Sequence, residues 1–336
     1  MKFRIPSEHQ DGHIAMKIIL IGGILVFIFL FFSALTMKRA LKPDETQRVT
    51  VGKHQTPFDG TRAFQDLERI VAFGPRPSGS EALEKTRDFI VRQLEAAGLS
   101  VRRFPFEAAT PIGKVNMVNL VGIIKGTSPD IILIGNHYET KLFTDFTFVG
   151  ANDGGSTTAW MLEMARAIGP TRQGRTIWLC FFDGEEAFKT WSREDSLYGS
   201  RHLVETLKKS GELSSVKTMI NVDMIGDAYL GIHRDPDAPK WLHSIIWDTA
   251  ERMGYGKHFS RRGMTIEDDH IPFREAGIPT IELIDFMYGG SVIDHQRTWH
   301  TPNDTLDKVS AASLQAVGDV IYNALFDIDA YLDTIK

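Results

Sequence analysis

Hydrophobic positions along this chain fall into runs of different length and period, and each kind predicts an element. From Ile18 to Leu35 the sequence IILIGGILVFIFLFFSAL holds 18 residues without a charge. At about 1.5 Å rise per residue such a helix extends about 27 Å, close to the thickness of a bilayer core. No polar face is left for water, which argues against a core helix. A cleaved signal peptide is the rival. The run is longer than a usual signal core, no A-x-A site follows, and Lys38 and Arg39 read as a stop at the membrane edge. The expected organisation is a tail (1–17), a transmembrane signal anchor (18–35), a polar linker (36–56) and one folded domain (57–336). Lys2, Arg4 and Lys17 precede the span, and Lys38, Arg39 and Lys42 follow it, so charge specifies orientation only weakly. The expectation is a single-pass protein with its bulk on the translocated side, in a periplasm, a lumen or the cell exterior.

Shorter runs alternate beyond the linker. Leu83, Ile90, Leu94 and Ala97 mark one helical face that ends at Gly98. Strands are predicted at Val115–Ile124, Ile131–Gly135, Thr176–Phe182, Thr218–Met224 and Ile278–Ile284. Helices are predicted at Asp153–Ile168, with Asp153 as an N-cap, and at Tyr198–Lys209. A stripe of Leu314, Val317, Ile321, Leu325, Ile328 and Leu332 marks a C-terminal helix. The alternation predicts an α/β fold, a three-layer sandwich whose central twisted sheet is mixed, mostly parallel, and flanked by helices. Ligands in such folds sit beyond the carboxyl ends of the strands.

Composition narrows the chemistry. Of 336 residues, 43% are hydrophobic, and the formal charge is −5, so there is no basic footprint for nucleic acid. Glycines form no phosphate-binding loop, so no nucleotide is expected. A lone cysteine, Cys180, excludes an intrachain disulfide framework and a thiolate metal cage; it lies in an apolar strand as a small buried hydrophobe. The unusual residues fall where the sheet rule puts a ligand. His137 follows IILIGN, the doublet Glu185-Glu186 follows TIWLCFF, Asp223 ends MINVD, Asp153 lies in GANDGGS, and His300 lies in Trp299-His300-Thr301. Each alone has an ordinary structural explanation. As a set, His137, Asp153, Glu186, Asp223 and His300 are five nitrogen and oxygen donors at one edge, which suits a catalytic zinc. Adjacent carboxylates in a loop can divide labour, one holding metal and the other moving a proton.

The order His-x-acid, Asp-Gly, Glu-Glu, Asp, His-Thr resembles the zinc-dependent aminopeptidase-like family that includes the animal-type glutaminyl cyclases. The likeness runs roughly from Asp59 to the C-terminus. Three stretches resemble the cyclases in particular: KLFTDFTFVGAND (Lys141–Asp153), FFDGEEAFKTWSREDSLYGSRH (Phe181–His202) and IEDDHIPFREAGIPT (Ile266–Thr280), together with Trp299-His300-Thr301. The resemblance implies one catalytic zinc held by Asp153, Glu186 and His300, with Glu185 as general acid/base. It implies that Asp223 and Asp268 form a hydrogen-bond network with Glu185 and the substrate amine. It places Trp191, Trp299, Phe273 and Glu267 at the substrate pocket. The implied reaction converts the N-terminal Gln of peptides or proteins to pyroglutamate with release of ammonia. The alternative is an aminopeptidase with two zincs, the second held by His137 and Asp223. A membrane-tethered binding module that has lost catalysis ranks third, because no proposed ligand or base is missing.

Two positions depart from the family pattern. Glu139 stands where His-Tyr-Asp is common, which predicts a change in how His137 is held. Glu282 stands where the cyclases carry His, which predicts an altered proton network. His270 is expected to order the Asp268-Asp269 loop.

Overall fold

Alternate residues of each central strand serve two different cores. In β3 (Ser128–His137), Ile132 and Ile134 belong to one hydrophobic cluster, and Ile131 and Leu133 to another. β4 (Arg175–Phe182) divides in the same way, with Ile177, Leu179 and Phe181 opposite Trp178, Cys180 and Phe182. The computed structural model describes residues 48–50, 56–289 and 298–335. The first core is closed by Leu67 of α1 (Gly60–Ala72), Leu94 of α2 (Glu81–Ala96), Trp160 of α3 (Thr157–Ile168), Ile246 of α5 (Lys240–Arg252) and Ile321 of α7 (Ala311–Thr334). The second is closed by Leu203 of α4 (Tyr198–Ser210) and Phe273 of α6 (His270–Glu275). Two helical layers therefore sandwich one sheet. Burial on both faces explains why these strands read as unbroken apolar runs.

The sheet has six strands in the order β1-β2-β4-β3-β5-β8, with β1 at Ser100–Thr110, β2 at Gly113–Ile124, β5 at Val216–Asp223 and β8 at Thr280–Ile284. β1, β2 and β4 pair antiparallel, whereas β4, β3, β5 and β8 pair parallel. Register brings His137 beside Phe182 and Asp223 beside Ile284, so the parallel strands finish at a common edge. The chain steps from β3 to β4 on one side, then crosses to β5 on the other. That reversal leaves a crevice at the carboxyl end of β3. A short parallel pair, β6 (Ile232–Arg234) and β7 (Phe259–Gly263), forms a separate sheet.

Several boundaries differ from the sequence reading. The helix expected from Asp153 begins at Thr157. Residues Ala151–Ser156 form a wide π-type turn in which Asp153 (φ −76°, ψ 106°) and Gly154 (φ +71°) leave helical geometry. Asp153 is therefore not an N-cap; its carboxylate is turned toward two histidines. β1, α1 and α5 lie in stretches without a predicted element. The predicted tail, the anchor at 18–35 and most of the linker lie outside the described residues, among which no helix is long and apolar enough to cross a membrane.

Candidate active site

Five chain segments, one of them the loop that carries His300, converge at the carboxyl edge of the parallel strands. β3 ends on His137 and β5 on Asp223. Asp153 comes from the π-type turn, and Glu185-Glu186 follow β4 through Gly184, which takes φ +84°. Asp153 bridges two imidazoles. Its Oδ1 lies 3.1 Å from His137 Nε2 and its Oδ2 3.3 Å from His300 Nε2. His137 Nε2 also lies 3.3 Å from Asp223 Oδ1, and His300 Nε2 2.7 Å from Glu186 Oε1. Two groups share Asp153, namely Asp153–Glu186–His300 and His137–Asp153–Asp223, and a third is His137–Glu139–Glu185, each with candidate ligand atoms within 4.8 Å of one another. Asp153 Oδ2 is buried and has no hydrogen bond. An orphan carboxylate oxygen between imidazole and carboxylate donors, with no thiolate, fits zinc.

The charges on these groups are set by burial and by their neighbours. Burial would lower both histidines. Asp153 and Asp223 instead hold His137 well above the ordinary range, while Glu186 and Asp153 raise His300 to about 9. Burial would raise Asp153 and Glu186. The imidazoles of His137 and His300 hold Asp153 below the usual carboxylate range, and His300 does the same for Glu186 with help from Lys141. Glu185 moves the other way, pushed well up by burial and then by the charge of Glu186. Asp223 is raised chiefly by burial, and Asp268 by burial followed by the charges of Glu282 and Asp223.

These groups open into a cavity of about 560 Å³ whose lining includes Asp153, Glu185, Glu186, Asp223, Asp268 and His300. Trp191, Trp299 and Glu267 lie on its wall. Trp191 is 38% exposed, and its indole N–H donates to Glu267 Oε2 at 3.2 Å. The Trp299 ring stacks on His300 at 4.1 Å, and Phe143 and Phe148 meet the same imidazole edge-on. This packing holds His300, whose backbone takes a strained φ of +53°. Phe273 is not on the wall. α6 turns it inward, where it is fully buried and packs 6.0 Å from Phe182. His270 does not bond the Asp268-Asp269 loop as expected; its Nδ1 lies 2.7 Å from Glu282 Oε2 without a hydrogen bond, and that oxygen accepts from Asn221 Nδ2 at 2.9 Å.

Three residues missed by sequence reasoning support the site. Lys141 Nζ donates to Glu186 Oε2 (3.1 Å) and to the Ala187 carbonyl (2.9 Å), fixing the oxygen that faces away from His300. Asp304 accepts the backbone N–H groups of Asn152 (2.7 Å) and Asp153 (3.0 Å). Arg76 is fully buried and donates to the carbonyls of Tyr138, Val149 and Gly150, clamping both ends of the loop between His137 and Asp153. The available signals were weak: Arg76 stands between two prolines, Lys141 opens KLFTDFTFVGAND, and Asp304 follows His300 by one helical turn's spacing.

A model of peptidase family M28 matches residues 119–325. The glutaminyl-peptide cyclotransferase of Bos taurus is 28% identical over 251 residues, covering 64% of this chain and 67% of that protein. The crystal structure of an Acidobacteriales bacterium glutaminyl cyclase aligns with a TM-score of 0.78 at 37% identity, covering 84% of this chain and 99% of that one. A leucine aminopeptidase precursor from Bacteroides thetaiotaomicron aligns with a TM-score of 0.70 at 26% identity, covering 81% of this chain and 97% of that one.

Proposed function

This chain belongs to peptidase family M28 and, within it, to the glutaminyl cyclases, and from that premise we propose that it converts the N-terminal Gln of peptides to pyroglutamate with release of ammonia. The observation that carries the reading is the pairing inside one cavity: a metal-type group of Asp153, Glu186 and His300 beside a Glu185 carboxyl that burial holds well above its usual range. Zinc held there supplies a Lewis acid for the amide carbonyl of the substrate side chain. The chain's own residues do the rest. Glu185 accepts a proton as the neutral α-amine bonds to the amide carbon, then returns it to the departing nitrogen as the carbon–nitrogen bond breaks, so ammonia leaves and one ring amide remains. Asp223 and Asp268 orient the amine. Amine and amide belong to one residue, so the pocket's task is to fold that side chain into reacting distance. Trp191 and Trp299 grip its stem and exclude water, which would otherwise divert the reaction to hydrolysis.

The deciding experiment incubates the protein with a Gln-initiated peptide. Loss of one ammonia with the chain length unchanged supports the cyclase, and release of free Gln overturns it. The second reading, an aminopeptidase with two metals, draws on the convergence of His137, Asp153 and Asp223. Metal analysis separates the two readings: about one zinc per chain goes with cyclisation and about two with peptide hydrolysis. The proposal also places this domain on the translocated side of a membrane, anchored by residues 18–35. Release of the protein by alkaline carbonate would remove the anchor.

A further inference from the structure

Glu139 does not hold His137. The nearest approach of its carboxylate to His137 Nδ1 is 3.8 Å, and Nδ1 has no hydrogen-bond partner. The extra methylene carries the carboxylate past the ring to the loop after β4. There a single oxygen, Oε1, accepts the backbone N–H of Glu185 at 2.6 Å and that of Glu186 at 3.1 Å. The opposite side of this turn is tied as well: the carbonyls of Gly184 and Glu185 accept the N–H groups of Tyr198 and Leu197 at the start of α4. Glu139 is 1% exposed, so no water competes for those two N–H groups.

We propose that Glu139 is a positioning residue that sets the Glu185-Glu186 turn, so that Glu186 faces His300 while Glu185 faces the cavity. Two adjacent side chains aim at different targets only if the peptide between them is fixed, and one acceptor shared by both N–H groups fixes it. Only a side chain of this length spans from the end of β3 to that turn, because an aspartate would fall short by about 1.5 Å, one carbon–carbon bond. The role needs an acceptor oxygen at Oε1 and no charge. Its expression in catalysis rests on the cyclase reading above, whereas its expression in metal affinity does not.

The test compares E139Q, E139D and E139A in the full-length protein. kcat and KM are measured on a Gln-initiated peptide, and the affinity of the metal-free protein for Co2+ is followed by visible absorption. E139Q keeps the acceptor and stays within about threefold of wild type. E139D and E139A lose on the order of 10- to 100-fold in kcat and in Co2+ affinity, with KM nearly unchanged. A merely structural role would lower the melting temperature without this split or the rescue by glutamine. Wild-type kcat and Co2+ affinity in E139D overturn the proposal, as does an E139Q variant as poor as E139A. If E139A fails to fold, E139D decides. If the wild type has no cyclase activity, the functional reading fails and Co2+ affinity still judges Glu139.

Discussion

Asp153 and Glu186 are each paired with the His300 imidazole, whereas Glu185 and Asp268 have mainly carboxylates around them and Asp223 has only the His137 imidazole against its burial. All five are buried and line one cavity, yet the first two are held below the usual carboxylate range and the other three are driven above it. Burial acts in the same sense on both sets, so the sign is decided by neighbours. Cationic partners make the first set permanent anions fit to hold a metal. Burial, helped by nearby carboxylate charge, drives the second set the other way, toward proton-carrying groups. One pocket thereby keeps metal and proton chemistry a few ångströms apart without mixing their roles.

The widest effect comes from emptying the ion-holding side. Stripping metal with a chelator, or replacing His300 by Ala, takes activity to background, and added Zn2+ restores the chelated wild type but not the variant. Full activity in the metal-free protein would break the comparison outright. On the proton side, Glu185→Gln lowers kcat by on the order of 10²- to 10⁴-fold while zinc content stays that of wild type. A variant that loses zinc instead would show that the two sets are not separate.

The reach of the sequence follows the same division. Residues at the ends of apolar strands were legible, because TIWLCFF and IILIG fix where the backbone stops and therefore where His137, Glu185 and Glu186 emerge. Their supports were not. Arg76, Lys141 and Asp304 act through backbone carbonyls and N–H groups, or through one oxygen of a ligand, and such contacts leave no residue pattern. Asp304 lies 151 residues from the Asp153 N–H it accepts. Phe273 was placed on the pocket wall by likeness of its surrounding motif, but the direction of a short helix decides which way a side chain faces. β1 was missed because SVRRFPFEAAT buries only two positions at the sheet edge and shows no clean alternation.

Glu282 offers a finer test. Burial and the Asp223 charge push its carboxyl well up, and burial lowers His270 to about 3, so neither group is driven toward its charged form. Glu282→Gln then costs under about 1.5 kcal/mol of stability, the scale of one hydrogen bond, and leaves activity nearly intact. The unpaired Asn221 Oδ1 can turn to accept from the introduced amide. Asp153→Asn on the other side, an equally isosteric change, abolishes zinc binding. Equal tolerance at both positions would erase the distinction.

The smallest effect is on the stability of the metal-free protein, and its sign is fixed. His300 rises from an ordinary value of 6.5 to about 9 in the folded state, so the folded chain binds more protons than the unfolded one between those values. Its contribution is fully present below pH 6.5 and is lost as pH climbs through about 9. His137, also raised, acts in the same sense. The histidines that burial lowers, such as His258 and His243, act in the opposite sense, but only near the pH 6.5 end of this window, where the unfolded chain still protonates them. The melting temperature of the apoprotein therefore falls from pH 6.5 to 9. Zinc must displace the same protons, so its affinity rises over that interval and the loaded protein melts at a nearly constant temperature. Parallel melting curves for the two forms would mean that His300 carries no extra proton in the metal-free fold, and the ion-holding side would then lack the charge pairing that separates it from Glu185.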